Sequence, residues 1–196
     1  MKKYALPLLP VLLLLACGKA NGQANPKLAD KQKREREAVY LKESLALIKQ
    51  LEGKALTANF LLLDKPASLS SESESCLKDV LTDTISYSKA ELKTIKNYTQ
   101  PVIASWAGML PEIRILKSDT VQSIFKDRHR NWDYFYKNIG QSFNAFSSPI
   151  FFRNYTYCLF YSANYCGGLC GGGSLRLYKK QKGVWVVVKS YCEWVS

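Results

Sequence analysis

The chain has 196 residues, 47% of them hydrophobic, with 28 Lys and Arg against 16 Asp and Glu. That length suits one domain with a sizeable core. The formal net charge of +12 directs attention to acidic neighbours, and a single histidine excludes a histidine-rich metal site.

At the N-terminus, Met1-Lys2-Lys3 precedes an apolar run from Tyr4 to Ala16 and then Cys17-Gly18. A basic head, an apolar centre and a small residue before the cut are the parts of a secretory signal. The run falls short of the roughly 20 residues that span a bilayer, and Pro7 and Pro10 weaken a helix there. Leu14-Leu15-Ala16-Cys17 resembles the bacterial lipobox, departing from it at Leu15, where a smaller residue is commoner. The resemblance implies cleavage before Cys17 and lipidation of that cysteine. Each buried methylene adds roughly 0.8 kcal/mol, so two or three acyl chains anchor where one does not. By the sorting rule of enteric bacteria, Gly18 in place of Asp favours the periplasmic face of the outer membrane. Lys19 to Pro26 is polar and aperiodic, a tether.

Export makes nucleic acid an unexpected partner. Anionic lipid heads, acidic glycans or an envelope protein are the expected neighbours of the basic clusters Lys31–Arg34, Lys126–Arg130 and Lys179–Lys182. A merely solvated basic surface is the alternative.

Residues 27–52 read as a helix. Its front is charged, and Leu41, Leu45, Ile48 and Leu51 make an apolar stripe farther on, before Gly53 ends it. The front is expected to lead toward the membrane. Thr57 to Leu63 reads as a short strand, Pro66 to Ser75 as a loop, and Cys76 to Ser86 is ambiguous. Ser88-Lys89-Ala90-Glu91 is a capping box opening a helix that ends before Pro101. Val102 to Met109 suits a strand or a buried turn, and Glu112 to Leu116 a strand. Ser118-Asp119 is expected to cap a helix carrying Val121, Ile124 and Phe125, followed by a second with Trp132, Phe135, Tyr136 and Ile139, stopped by Gly140.

From Ser142 the period changes. Ser148–Phe152, Tyr155–Ala163, Ser174–Lys180 and Val184–Trp194 read as strands, with a tight turn at Lys182-Gly183. Helices first and strands later predict an α+β fold, with short helices packed on a C-terminal antiparallel meander. The expected division is a signal over 1–16, a lipidated tether over 17–26 and one α+β domain over 27–196, sheet-rich from about 142 onward.

Between two of these strands lies a loop from Asn164 to Gly173 containing Gly167, Gly168, Gly171, Gly172 and Gly173. Glycines bare the backbone N–H groups, so the loop is a candidate anion or partner site. The favoured reading is a tight connection stapled by Cys166 and Cys170. With Cys17 acylated, an odd number of the six cysteines remains. The favoured pairs are Cys166 with Cys170 and Cys158 with Cys192, leaving Cys76; a pair between Cys76 and a loop cysteine stays open.

The segment from Trp132 onward resembles a recurrent group of uncharacterised exported bacterial proteins, many of them lipoproteins of Bacteroidetes. The shared features are Trp132, Phe135 and Tyr136, the Ser148–Phe151 strand start, the Cys166–Gly171 loop, and Gly183 with Trp185. The resemblance implies a common sheet domain and no particular activity. Cys158 and Cys192 look like additions to the group pattern, which favours pairing them.

No nucleophile elbow or phosphate loop is present. His129 sits in a polar junction, and the acidic pairs Glu72/Glu74 and Asp79/Asp83 read as solvated. No catalytic set and no cofactor is expected. The leading expectation is a membrane-anchored binding or interaction module, with Tyr165, Tyr178 and Lys179 beside the glycine loop as contact region. The alternatives are an envelope hydrolase and an immunity or inhibitor lipoprotein. A pocket joining two acidic residues, one of them with its pKa raised by burial, is the mark of the hydrolase.

Overall fold

The computed structural model describes residues 26–69, 74–98, 103–127 and 129–196. The expected signal and lipidation site, with Gly18, Glu72 and Pro101, lie outside the described residues. The chain divides into two units, one ending at Arg36 and one spanning Glu37–Ser196. Helix α1 (Pro26–Glu52) contributes to both. In the first unit Lys31 to Arg36 are all exposed. Their side-chain ties include a Lys31–Glu35 pair at 3.9 Å and an Arg36 bond to the Gln32 carbonyl.

The second unit is α+β. Its remaining elements are β1 (Leu61–Leu63), α2 (Glu74–Thr82), α3 (Lys89–Lys96), β2 (Arg114–Leu116), α4 (Ser118–Lys126), α5 (Trp132–Asn138), β3 (Phe143–Phe146), β4 (Ile150–Phe152), β5 (Tyr157–Gly167), β6 (Cys170–Gln181) and β7 (Val184–Val195). They form one sheet of order β2-β1-β3-β5-β6-β7, with β4 also pairing β5. The C-terminal part is the expected antiparallel meander, whereas β1 pairs both β2 and β3 in parallel. Strand β3 lies in a stretch where the sequence reading places none. Its four residues are too few for alternation to declare itself, and pairing with both β1 and β5 defines it.

Because side chains alternate across a strand, β5 feeds two cores. Cys158 and Phe160 face α1, joining Leu47, Ile48, Phe146, Tyr178 and Trp185. Leu159, Tyr161 and Ala163 face the other way, toward Cys76 and Val80 of α2 and Ile95 of α3. A third cluster sets Phe135 and Ile124 against Leu61, Leu116 and Phe143.

Helix α1 buries Tyr40, Ser44, Leu47 and Ile48, while Leu41, Leu45 and Leu51 flank the core. Two hydrogen bonds permit that rotation of the predicted stripe. Tyr40 donates to the Pro149 carbonyl at 2.8 Å, and Ser44 donates to the Tyr40 carbonyl at 2.8 Å, so neither buried hydroxyl is orphaned.

The capping box of α3 forms as predicted: Ser88 accepts from the Glu91 amide, and Glu91 accepts from the Ser88 amide. Helix α4 departs from expectation. Its N-cap residue is Lys117, with no side-chain cap of its own. Asp64, just after β1, instead accepts from the Ser118 amide at 2.8 Å and the Ser118 hydroxyl at 2.7 Å. A carboxylate from elsewhere thus satisfies the positive end of the helix. Of the Val102–Met109 stretch, Val102 lies outside the described residues, and 103–109 form a turn around fully buried Trp106.

Asp79 is exposed, but Asp83 is buried, contrary to the solvated pair expected. Asp83 accepts from Lys189 at 2.7 Å and from the Tyr191 hydroxyl at 2.8 Å, tying the end of α2 to β7. Between β4 and β5, Arg153, Asn154 and Tyr155 all have φ between 51° and 60°. This left-handed turn delays β5 to Tyr157 and sets Arg153 against Glu91 at 2.9 Å.

Candidate functional site

The glycine segment is not an open loop. Strand β5 continues to Gly167 and β6 starts at Cys170, leaving Gly168 and Leu169 as the turn. Gly171, Gly172 and Gly173 sit in the ladder opposite Tyr165, Asn164 and Ala163. Gly172 and Gly173 also pair with Val195 and Trp194 on the other side. Their backbone groups are therefore engaged in the sheet rather than bared in an open loop. Packing explains the glycines. A Cβ on Gly173 would stand 2.5 Å from the Trp194 Nε1 and 2.9 Å from the Ala163 Cβ. A Cβ on Gly167 would meet the Tyr136 hydroxyl at 2.8 Å, which donates to the Cys166 carbonyl at 2.6 Å. Gly168 has open space around it.

The Cys166–Cys170 disulfide closes this turn. The second disulfide joins Cys76 to Cys192, correcting the predicted Cys158–Cys192 pair. Cys158 points toward α1 and Cys192 toward α2, on opposite faces of the sheet, so their sulfurs cannot meet. Cys158 is a fully buried free thiol, its pKa pushed up by burial. With Cys76, Cys166, Cys170 and Cys192 in disulfides, Cys158 is the one free thiol among the described residues. Among the described residues no three metal-ligating side chains converge.

Of the expected contact region, Tyr178 is core, Tyr165 stacks on Phe143, and Lys179 lies 5.5 Å over the Tyr157 ring. They do not form one surface. His129 is exposed.

A different site appears on the face of the sheet that α1 covers elsewhere. Along that face β5 reads Cys158, Phe160, Ser162, Asn164, and β6 in the opposite direction reads Tyr178, Arg176, Ser174, Gly172. The large members lie under α1, while the small polar ones line a cleft of about 320 Å³. Asn144 and Phe146 of β3 form one side, Glu193 and Val195 of β7 the other, and Glu52, the last residue of α1, also lines it. The volume lies at the low end of the range for small-molecule sites.

The polar groups differ in how far they are engaged. The Asn164 side chain donates to the Asn144 side-chain oxygen Oδ1 at 3.0 Å, and the Asn144 side chain donates to the Leu61 backbone carbonyl at 3.1 Å, forming a ladder across three strands. Arg176 donates twice to Glu193, at 2.6 and 3.2 Å, and Ser190 donates to the same oxygen at 3.1 Å. The Arg176 and Ser190 bonds hold the Glu193 carboxyl below its ordinary range. Burial pushes the Glu52 carboxyl in the opposite direction. Among the described residues, Ser162, Ser174 and Glu52 have no side-chain bond within the protein.

A larger groove of about 410 Å³ runs beside α4, lined by Leu63, Val121, Phe143 and Tyr165. Two of its polar groups are already occupied, Lys65 by Asp119 and Ser118 by Asp64, and Gln122 is exposed. The cleft beside Glu52 is therefore the stronger candidate.

None of its residues belongs to a motif. The signal that marks them is the change from large to small polar residues on one face of β5 and β6, which only the true strand limits disclose. In comparisons with protein-family models, curated proteins and solved structures, the chain matches none.

Proposed function

We propose that this chain is an exported, lipid-anchored binding module that holds a small polar ligand in the sheet cleft. The observation that carries the binding role is the set of unengaged groups there, Ser162, Ser174 and Glu52, on a sheet face where large apolar residues would otherwise pack. Buried polar groups normally find partners within a protein. Ser174 is buried and Ser162 and Glu52 are half-buried, and such groups left open beside a cleft suit a partner from outside.

The anchor rests on Leu14-Leu15-Ala16-Cys17. No described helix is long and apolar enough to cross a membrane. Acyl chains on Cys17 supply the attachment, and the absence of Asp at position 18 favours the outer membrane. The basic surface then meets anionic lipid, glycan or an envelope protein, and the cleft takes its own ligand. The test is Cys17→Ala, followed by cell fractionation and intact mass. A mutant chain that still sediments with the envelope at an unchanged mass removes the anchor from this reading.

One observation favours envelope hydrolysis as a second reading. Glu52 and Glu193 share the cleft, with protonation pushed in opposite directions. Such divergence suits an acid and a base. Turnover of a chromogenic glycoside or peptide panel that vanishes in both Glu52→Gln and Glu193→Gln would establish it. Binding without turnover supports the module.

A further inference from the structure

We propose that the cleft takes its ligand through a primary ammonium group seated on the Glu52 carboxylate. This rests on the reading of the cleft as a binding site, and it adds the chemistry that the site selects.

Among the described residues, every other buried or half-buried carboxylate has its own cation, Asp127 included, which meets Arg130 at 3.4 Å. Glu43 meets Lys180 at 2.6 Å, Asp64 meets Lys117 at 3.4 Å, Asp83 meets Lys189 at 2.7 Å, and Glu91 meets Arg153 at 2.9 Å. Glu52 is half-buried and has none among the described residues, in a chain with 28 Lys and Arg. It also occupies the last turn of α1, where the partial negative charge of the helix end opposes a carboxylate. The fold thus places an acid where its own structure disfavours one, facing the cleft.

The rest of the lining points the same way. The one cation there, Arg176, is taken up by Glu193 at 2.6 Å, so no free positive charge awaits a phosphate or carboxylate. Ser162 and Ser174 offer hydroxyls that donate or accept, suited to the polar body of the same ligand. A cation on Glu52 neutralises the unpaired charge, and hydroxyl or amide groups of the ligand satisfy the serines.

The test uses full-length protein in a neutral detergent and three matched pairs of probes: glucosamine and N-acetylglucosamine, triglycine and N-acetyl-triglycine, ethanolamine and N-acetylethanolamine. Within each pair acetylation removes the charge and adds an acetyl group, and Glu52→Gln separates the effect of charge from that of size. Calorimetric titration is expected to show at least one amine binding tenfold or more tighter than its acetylated form. Glu52→Gln is expected to abolish that preference while the protein unfolds at the same temperature or higher. Ser162→Phe, or Ser174→Leu should the first variant be less stable, is expected to weaken binding of both members.

Equal binding within every pair, or a preference that survives Glu52→Gln, overturns the ammonium assignment. If the cleft-filling variants still weaken binding, the cleft reading stands without it. No binding of any probe, or binding indifferent to cleft filling, overturns both.

Discussion

Cys192 of β7 is bonded to Cys76 of α2, 116 positions earlier in the chain. The bond sits in the core between sheet and helix, with Cys76 only 5% exposed. Beside it the Asp83 carboxylate binds Lys189 and Tyr191 of the same strand. A covalent tie near the start of α2 and an ionic one just past its end therefore hold the helix to the edge strand of the sheet.

The two disulfides should contribute unequally. Closing a loop of more than a hundred residues removes about 4–5 kcal/mol of chain entropy from the unfolded state, and a loop of a few residues about 2 kcal/mol. The double mutant Cys76→Ala/Cys192→Ala is expected to lose more stability than Cys166→Ala/Cys170→Ala by urea unfolding. The reverse order would refute this assignment of roles. Cys158, being wholly buried, should react with a thiol reagent only after unfolding.

Acid should weaken the fold through two carboxylates. Hydrogen bonds from Arg153, with the Ser88 amide, outweigh burial and bring the Glu91 pKa down to about 2. At Asp83 burial pulls upward, but bonds from Lys189 and Ser86 win and hold the carboxyl well below its ordinary range. A depressed folded-state pKa gives stability that is present above the unfolded value and lost as pH falls. The urea midpoint is expected to drop from about pH 5 toward pH 2, and Asp83→Asn with Glu91→Gln to flatten that slope. Glu52 has the opposite sign: its raised pKa costs stability as pH rises above the ordinary glutamate range.

Glycines 168 and 173 should differ sharply on substitution. Gly173→Ala pushes a methyl into Trp194, whose Nε1 donates to the Tyr161 hydroxyl at 3.2 Å and so cannot retreat freely. Overpacking of this kind costs about 1–3 kcal/mol. Gly168→Ala meets nothing within 4 Å, and its effect is expected to stay within about 0.5 kcal/mol. Thermal unfolding of the two variants compares them directly, and equal losses would contradict the packing account.

Asn154→Gly should stabilise the protein. Asn154 has φ of 53° inside a run of three left-handed residues, and its exposed side chain makes no described contact. Relief of the Cβ clash is worth about 1 kcal/mol before the larger entropy loss of glycine is subtracted. A rise of a few tenths of a kcal/mol in unfolding free energy is the expected result. A fall would show that the turn tolerates asparagine without strain.

Much of the architecture is local enough to be written in the chain. The Ser88 box, the stop at Gly53, the Lys182-Gly183 turn and the aromatic spacing of α5 depend on residues within a few positions of one another, so the one-dimensional pattern carries them. The same holds for the α+β class, since the period of hydrophobic residues changes along the sequence.

What only the tertiary structure decided is which distant residues share a face. Cys158 and Cys192 look like partners by position, yet alternation across β5 and β7 sends them to opposite cores, and Cys76 takes the bond. The glycines look like an open loop until pairing on both sides shows them making room for Trp194. Glu52, Ser162, Ser174 and Arg176 form one cleft although they come from a helix end and two strands. Register and burial depend on contacts across the whole chain, and no window of sequence contains them.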